Sequence, residues 1–305
     1  MAFLNFSDHS HSLNESRNYD NYYLVAENLT NDVDNNLKFG IVITTHKIQA
    51  GKNAGTKGRH KVMTTPQVLG ELLESIAKQS FKNWHCYIVG DAYEGHEEIV
   101  EVMNKKLGKG KYTFFNLSKP GERSQDIPDR HKKITGGTVA NNKGLVLAEK
   151  DGVDIIAKID HDDKWTNNHL MELAKVYTQY PKAAFAYTKA AKKPASANSS
   201  KKVLYYPNGL NVTDVTEDNH MAQPGNASHS AISWRLMPGV KGLRYRGAID
   251  QTKTAPKRPE CIPVDADILD RIKTIIKDKG YNYVYVPKLT NLYRNKDGEF
   301  PNVRS

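Results

Sequence analysis

From Leu37 onward the chain alternates short apolar runs with stretches of helical period, and this alternation restricts the fold more than any other feature. Strand-sized runs separated by helix-length crossovers are brought into one sheet in parallel order, each crossover returning the chain to the same end. The runs are Phe39 to Thr44, Cys86 to Val89, Tyr112 to Phe115, Asp154 to Ile159 and Ala183 to Tyr187. Between them, Val68, Leu69, Leu72, Leu73 and Ile76 follow Pro66 at helical spacing. Ile99, Val100, Met103 and Leu107 repeat the pattern, residues 138–149 read as a third helix, and Leu170, Leu173 and Val176 form a fourth behind Thr166 as a cap. An α/β domain with a mostly parallel central sheet flanked by helices is expected.

The second half is less regular. Residues 189–226 are rich in Lys, Ser, Asn and Pro and read as loops around one strand, Val203 to Tyr206. Ala231 to Trp234 is expected as a strand, Asp265 to Lys277 as a helix, and Tyr281 to Val286 as an alternating terminal strand. Residues 1–37, rich in Asn, Ser, Asp and Tyr, are expected to form a loosely ordered arm. The expected division is thus an arm at 1–37, one half-domain at 38–190 and a second at 191–305.

Composition narrows the class. With 305 residues of which 38% are hydrophobic, the chain can fill a real core. No apolar run reaches the roughly 18 residues of a membrane span, and the start MAFLNFSDHS lacks the basic and apolar regions of a secretory signal. Two cysteines, Cys86 and Cys261, fit a reduced compartment, so a cytoplasmic location is expected and Asn-x-Ser/Thr triplets carry no weight. A formal net charge of +10 points to anionic partners. Lysines spread over many loops, with no nucleic-acid module, argue against DNA or RNA among them.

The stretch IIAKIDHDDKW carries a buried strand into Asp160, Asp162 and Asp163. Like charges in one place repel unless something positive sits among them. Side chains alternate along extended backbone, so Asp160 and Asp162 can face one point, which suits a hard divalent cation such as Mn²⁺ or Mg²⁺. The same triplet form occurs at Asp32-Val33-Asp34 and Asp265-Ala266-Asp267, and a solvated turn capping a helix would also use it.

Four segments taken together say more: IVITTH, the helix ending SIAKQSFKNWHCYIVGD, then GGTVANNKGLVLA, then DIIAKIDHDDKW. In this order they resemble the family 2 glycosyltransferases of the GT-A (Rossmann-like) fold, well over residues 38–190 and more loosely from 220 onward. The resemblance implies transfer of a sugar from a nucleotide-diphosphate donor to an acceptor hydroxyl, of a glycan in the first instance, with inversion. By the same resemblance Thr44 and Thr45 line the nucleotide pocket and Asp91 contacts the nucleobase or ribose. Asp160 touches ribose or metal, Asp162 is the main metal ligand, and Asp163 lies close by. Where many members read A-R-N, with an arginine serving the diphosphate, this chain has Ala140-Asn141-Asn142, which leaves Arg130, Lys132, Lys133 or Lys143 for the phosphates. The long basic loop from His46 to Thr65 has the character of a lid.

Inverting transfer needs a carboxylate to take the acceptor's proton. Pro263-Val264-Asp265-Ala266-Asp267 resembles the family's base motif, with Asp265 first and Asp267 second; both also suit a helix N-terminus electrostatically. His220 and His229 are further metal-ligand candidates, Trp165, Trp234 and Tyr245 candidates for stacking on a sugar, and Arg244, Arg246 and Arg294 for reaching the diphosphate. The competing readings are a nucleotide-sugar pyrophosphorylase, suggested by the Gly- and Lys-rich loop at 51–61, and a non-catalytic nucleic-acid- or glycan-binding protein.

Overall fold

The computed structural model describes residues 22–48, 63–192, 204–206, 229–254, 261–294 and 299–302. In chain order the strands are β1 (Tyr23–Val25), β2 (Phe39–Thr45), β3 (Trp84–Gly90), β4 (Tyr112–Asn116) and β5 (Ile155–Asp160). They continue as β6 (Lys164–Trp165), β7 (Ala183–Lys192), β8 (Leu204–Tyr206), β9 (Ile232–Arg235) and β10 (Asn282–Tyr293). The helices are α1 (Thr65–Ala77), α2 (Glu97–Leu107), α3 (Asp129–Thr135), α4 (Thr138–Lys150), α5 (His169–Gln179), α6 (Ala248–Thr254) and α7 (Val264–Lys279).

All these strands join one sheet in the order β1-β10-β7-β9-β5-β2-β3-β4, with β6 on β10 and β8 on β7. The pairings β5-β2, β2-β3, β3-β4, β10-β7 and β1-β10 are parallel, whereas β9 lies antiparallel between β5 and β7. The expected mostly parallel α/β architecture is present, and both halves of the chain contribute to the same sheet.

The central strands are largely apolar because helices cover both faces. Ile41, Ile43, Cys86, Ile88, Ile155 and Ile159 pack with residues of α1, α2 and α5. Val42, Tyr87 and Ile156, alternating with them, pack with residues of α4 and α7. Helix α4 lies directly on β2: a Cβ at Gly144 would fall 2.7 Å from Val42 Cγ1, so only glycine permits this approach. That contact sets the height of the α4 N-terminus above the sheet edge.

Several boundaries differ from the expectation. The end of the presumed loose arm is a strand, β1, whose register Tyr23↔Tyr283 to Val25↔Tyr285 adds it to the edge of β10. Asn168, not Thr166, is the N-cap of α5; the Thr166 carbonyl instead accepts a turn bond from the His169 N–H at 3.2 Å. The polar stretch before α4 contains α3, and β10 runs to Tyr293, well past Val286. Of the loop from His46 to Thr65, residues 49–62 lie outside the described residues. No helix among the described residues is long and apolar enough to cross a membrane.

Candidate active site

Sheet register assembles the site. β2 places Thr44 opposite Asp160 of β5 and Thr45 opposite Gly90 of β3, and Gly90 is opposite Asn116 of β4. Asp91 follows Gly90, its N–H donating to the Thr45 carbonyl at 2.8 Å. Thr44, Thr45, Asp91 and Asp160 therefore stand side by side at the carboxyl edge of the parallel strands, where ligands bind in open α/β sheets.

Asp160, Asp162 and Asp163 each offer a carboxylate oxygen within 4.8 Å of the others. A turn brings them together, the Asp163 N–H donating to the Asp160 carbonyl at 3.1 Å. Asp162 and Asp163 are buried and Asp160 is partly exposed. Nitrogen groups approach the cluster from three directions. Lys158 Nζ, fully buried, lies 3.4 Å from Asp160 Oδ1 and donates to the Ile159 carbonyl at 3.0 Å. Burial pulls the Lys158 ammonium below its ordinary range, and the three aspartates pull the other way. His229 Nδ1 is also 3.4 Å from Asp160 Oδ1. Arg294 donates from Nε to the Asp162 carbonyl at 2.9 Å and from its main-chain N–H to Asp163 Oδ1 at 3.2 Å. Its guanidinium is anchored on Glu71 Oε2 at 2.5 Å and lies over Phe300.

The donor set fits a hard divalent cation, since carboxylate oxygens in close array are what Mn²⁺ and Mg²⁺ prefer. The three acids differ in their surroundings. Both oxygens of Asp163 receive protein hydrogen bonds, Oδ2 from Ser230 Oγ at 2.6 Å and Oδ1 from Arg294. Ser230 Oγ also accepts the Asp160 N–H at 3.0 Å, so this serine pins the whole turn.

Beside this cluster, Asp91 Oδ1 accepts the Gly121 N–H at 2.9 Å and thereby fixes the loop after β4. Thr45 Oγ1 is bonded to His161 Nδ1 at 3.0 Å, and the His161 ring lies against His46 with centroids 4.9 Å apart. Gly137, at φ +84°, turns the chain into α4 close to Thr44 and the buried Asn141. Glu122 is buried behind this helix start, accepting the Val139 N–H at 3.2 Å, and burial raises its carboxyl pKa. Arg130, Lys132 and Lys133 sit on α3, between that loop and α4; Arg130 is exposed and Lys132 lies 3.7 Å from Asp129. Lys143 stands over the Phe115 ring at 4.1 Å.

On the far side, α7 begins with the two candidate bases, which have different surroundings. Asp267 is buried and held by two guanidiniums: Arg246 through Nε at 3.0 and 3.1 Å and through Nη2, and Arg271 through Nη2 at 2.9 Å. Those bonds make Asp267 the centre of an ion-pair cluster with Arg246 and Arg271. Asp265 is partly exposed, with Oδ1 accepting the Ala266 N–H at 3.0 Å. Arg244 is paired through both terminal nitrogens with Glu149.

The aromatic candidates are core residues. Trp165, Trp234 and Tyr245 are buried, and Trp165 donates from Nε1 to the Ser230 carbonyl at 2.6 Å while stacking on His169. His220 lies outside the described residues. Ser230, Lys158 and Asn142 escaped the sequence reading. Lys158 alone left a signal, as a lone lysine inside an apolar strand; Ser230 arrives from a loop 70 positions downstream.

No protein-family model matches the chain. A protein of Acanthamoeba polyphaga mimivirus named uncharacterized glycosyltransferase R139 is 27% identical over 264 residues, covering 86% of this chain and 96% of that protein. Among solved structures, S. aureus TarS superimposes with a TM-score of 0.50 at 14% identity, over 84% of this chain and 36% of TarS. A TarS fragment, residues 1–349, gives the same score and identity over 84% of this chain and 60% of the fragment. The chain thus spans only about a third of TarS, and the likeness is one of fold. Sequence and fold together make the chain a glycosyltransferase homologue of GT-A architecture.

Proposed function

We propose that the chain moves a sugar from a nucleotide-diphosphate donor to an acceptor hydroxyl, most simply of a glycan, with inversion and with dependence on a divalent metal. The observation that carries this reading is the convergence of Asp160, Asp162 and Asp163 at the carboxyl edge of the sheet, in line with Thr44, Thr45 and Asp91. Asp160 and Asp162 would hold Mn²⁺ or Mg²⁺, and a bound ion supplies Lewis-acid neutralisation of the charge on a departing diphosphate. Asp163 keeps the turn in shape through Ser230 and Arg294.

Asp91 and the two threonines receive the nucleoside, and Arg130 and Lys133 of the basic helix α3 are the candidates to serve the phosphates. Asp265 takes the proton from the acceptor hydroxyl; a carboxylate so placed typically contributes about 10² to 10⁴-fold in rate. The test is to incubate the protein with a panel of nucleotide-sugars and Mn²⁺ without acceptor and to assay sugar release. Metal-dependent hydrolysis of one donor is expected, and it names that donor; no hydrolysis and no binding of any donor overturns the reading.

A further inference from the structure

We propose that His229 and Tyr245 form a positioning couple that fixes the carboxylate of Asp160. The inference rests on the metal-dependent reading above and adds residues that this reading does not use.

His229 begins a 3₁₀ turn (His229–Ala231) whose next residue is Ser230, already bonded to the Asp160–Asp163 turn. Its Nδ1 lies 3.4 Å from Asp160 Oδ1, and its Nε2 lies 2.9 Å from the Tyr245 hydroxyl. A neutral imidazole has one donor and one acceptor nitrogen. Every contact is satisfied if Nδ1–H faces the carboxylate and the phenol donates to Nε2. The ring then bridges a charged oxygen and a neutral hydroxyl in one tautomer.

Tyr245 is buried, and its rings and main chain are fixed. The His229 and Tyr245 rings stand perpendicular with centroids 5.7 Å apart. The Tyr245 N–H donates to Asn142 Oδ1 at 2.8 Å, and Asn142 Nδ2 donates to the Tyr245 carbonyl at 2.9 Å. Asn142 belongs to α4, which glycine packing seats on β2. A rigid path therefore runs from the sheet through Asn142, Tyr245 and His229 to Asp160.

Lys158 approaches the same Oδ1 from within the strand. With a buried ammonium and an imidazole both on Oδ1, the rotation of the Asp160 carboxylate is set from the protein side before any cation arrives. That is preorganisation of a ligand by its outer partners.

The test measures Mn²⁺ binding to the protein alone, by electron paramagnetic resonance titration of the free ion, with circular dichroism and melting temperature as fold controls. Tyr245→Phe deletes only the hydroxyl. Loss of one hydrogen bond to the ring should weaken Mn²⁺ binding about three- to tenfold with an unchanged fold. His229→Ala should weaken it at least as much. His229→Asn, whose amide reproduces a donor near Nδ1 but nothing at Nε2, should recover part of that loss. A merely structural role would not produce such a rescue. Wild-type affinity in folded Tyr245→Phe and His229→Ala overturns the couple while the metal reading stands. Absence of Mn²⁺ binding in the wild type overturns both.

Discussion

Lys158 Nζ and Asp160 Oδ1 lie 3.4 Å apart inside the strand that delivers the acidic cluster, the lysine fully buried and the aspartate partly exposed. A buried ammonium here does part of what a divalent cation does, holding three carboxylates together. Lys158→Met should therefore lower the melting temperature of the metal-free protein by about 3 °C, the loss of one charged contact of roughly 2 kcal/mol. Added Mn²⁺ should then raise the melting temperature of the variant by more than it raises that of the wild type. Equal metal-induced shifts in the two proteins would show that the lysine does not share this task.

Asp162→Ala should abolish transfer, by about 10³-fold or more if the ion supplies several kcal/mol, and leave circular dichroism unchanged. Full activity in this variant would remove the metal from the mechanism.

The two acids of α7 should separate cleanly. Asp265→Asn should bind the donor normally and lose about 10² to 10⁴-fold in single-turnover rate, with unchanged unfolding in urea. Asp267→Asn leaves Arg246 and Arg271 facing each other without their shared carboxylate, and should cost about 3 kcal/mol of stability, read from urea unfolding. If Asp267→Asn were as stable as the wild type and dead in catalysis, the two roles would be reversed.

His169 supplies a pH dependence. It is fully buried beside Thr290, with Nδ1 2.7 Å from Oγ1, and burial pushes its pKa down from 6.5 to about 3. The unfolded chain binds this proton below about pH 6.5 and the folded chain does not, so stability present above that pH is lost as pH falls toward 3. The slope is about 1.4 kcal/mol per pH unit for one proton. Unfolding in urea at pH 7, 5.5 and 4.5 should show it, and His169→Asn should flatten it by that amount; identical slopes would mean that the ring protonates in place.

The central strands were legible in the sequence because helices cover them on both sides, leaving runs such as residues 39–43 without a polar position. The line of Thr44, Thr45, Asp91 and Asp160 was legible for a related reason: each ends an apolar run, and run ends share one edge in a parallel sheet. Contacts made by residues that loops bring in were hidden. The ion pairing of Asp267 was hidden because its partner Arg246 lies 21 positions away. Trp165 looked like a sugar platform because the carbonyl of Ser230, which takes its indole N–H, is 65 positions downstream. β1 was missed since its three residues are only half buried and sit in polar surroundings.

The place of β9 between β5 and β7 bears on how the polypeptide is made. Every strand that pairs with β7, namely β8, β9 and β10, is synthesised after it. A nascent chain that has just cleared Lys192 therefore carries a ten-residue, largely apolar ribbon with both edges open, the kind of segment that draws chaperones or other nascent chains. Ribosomal pausing or early release in the stretch from 193 to 231 is where misassembly of this protein should concentrate.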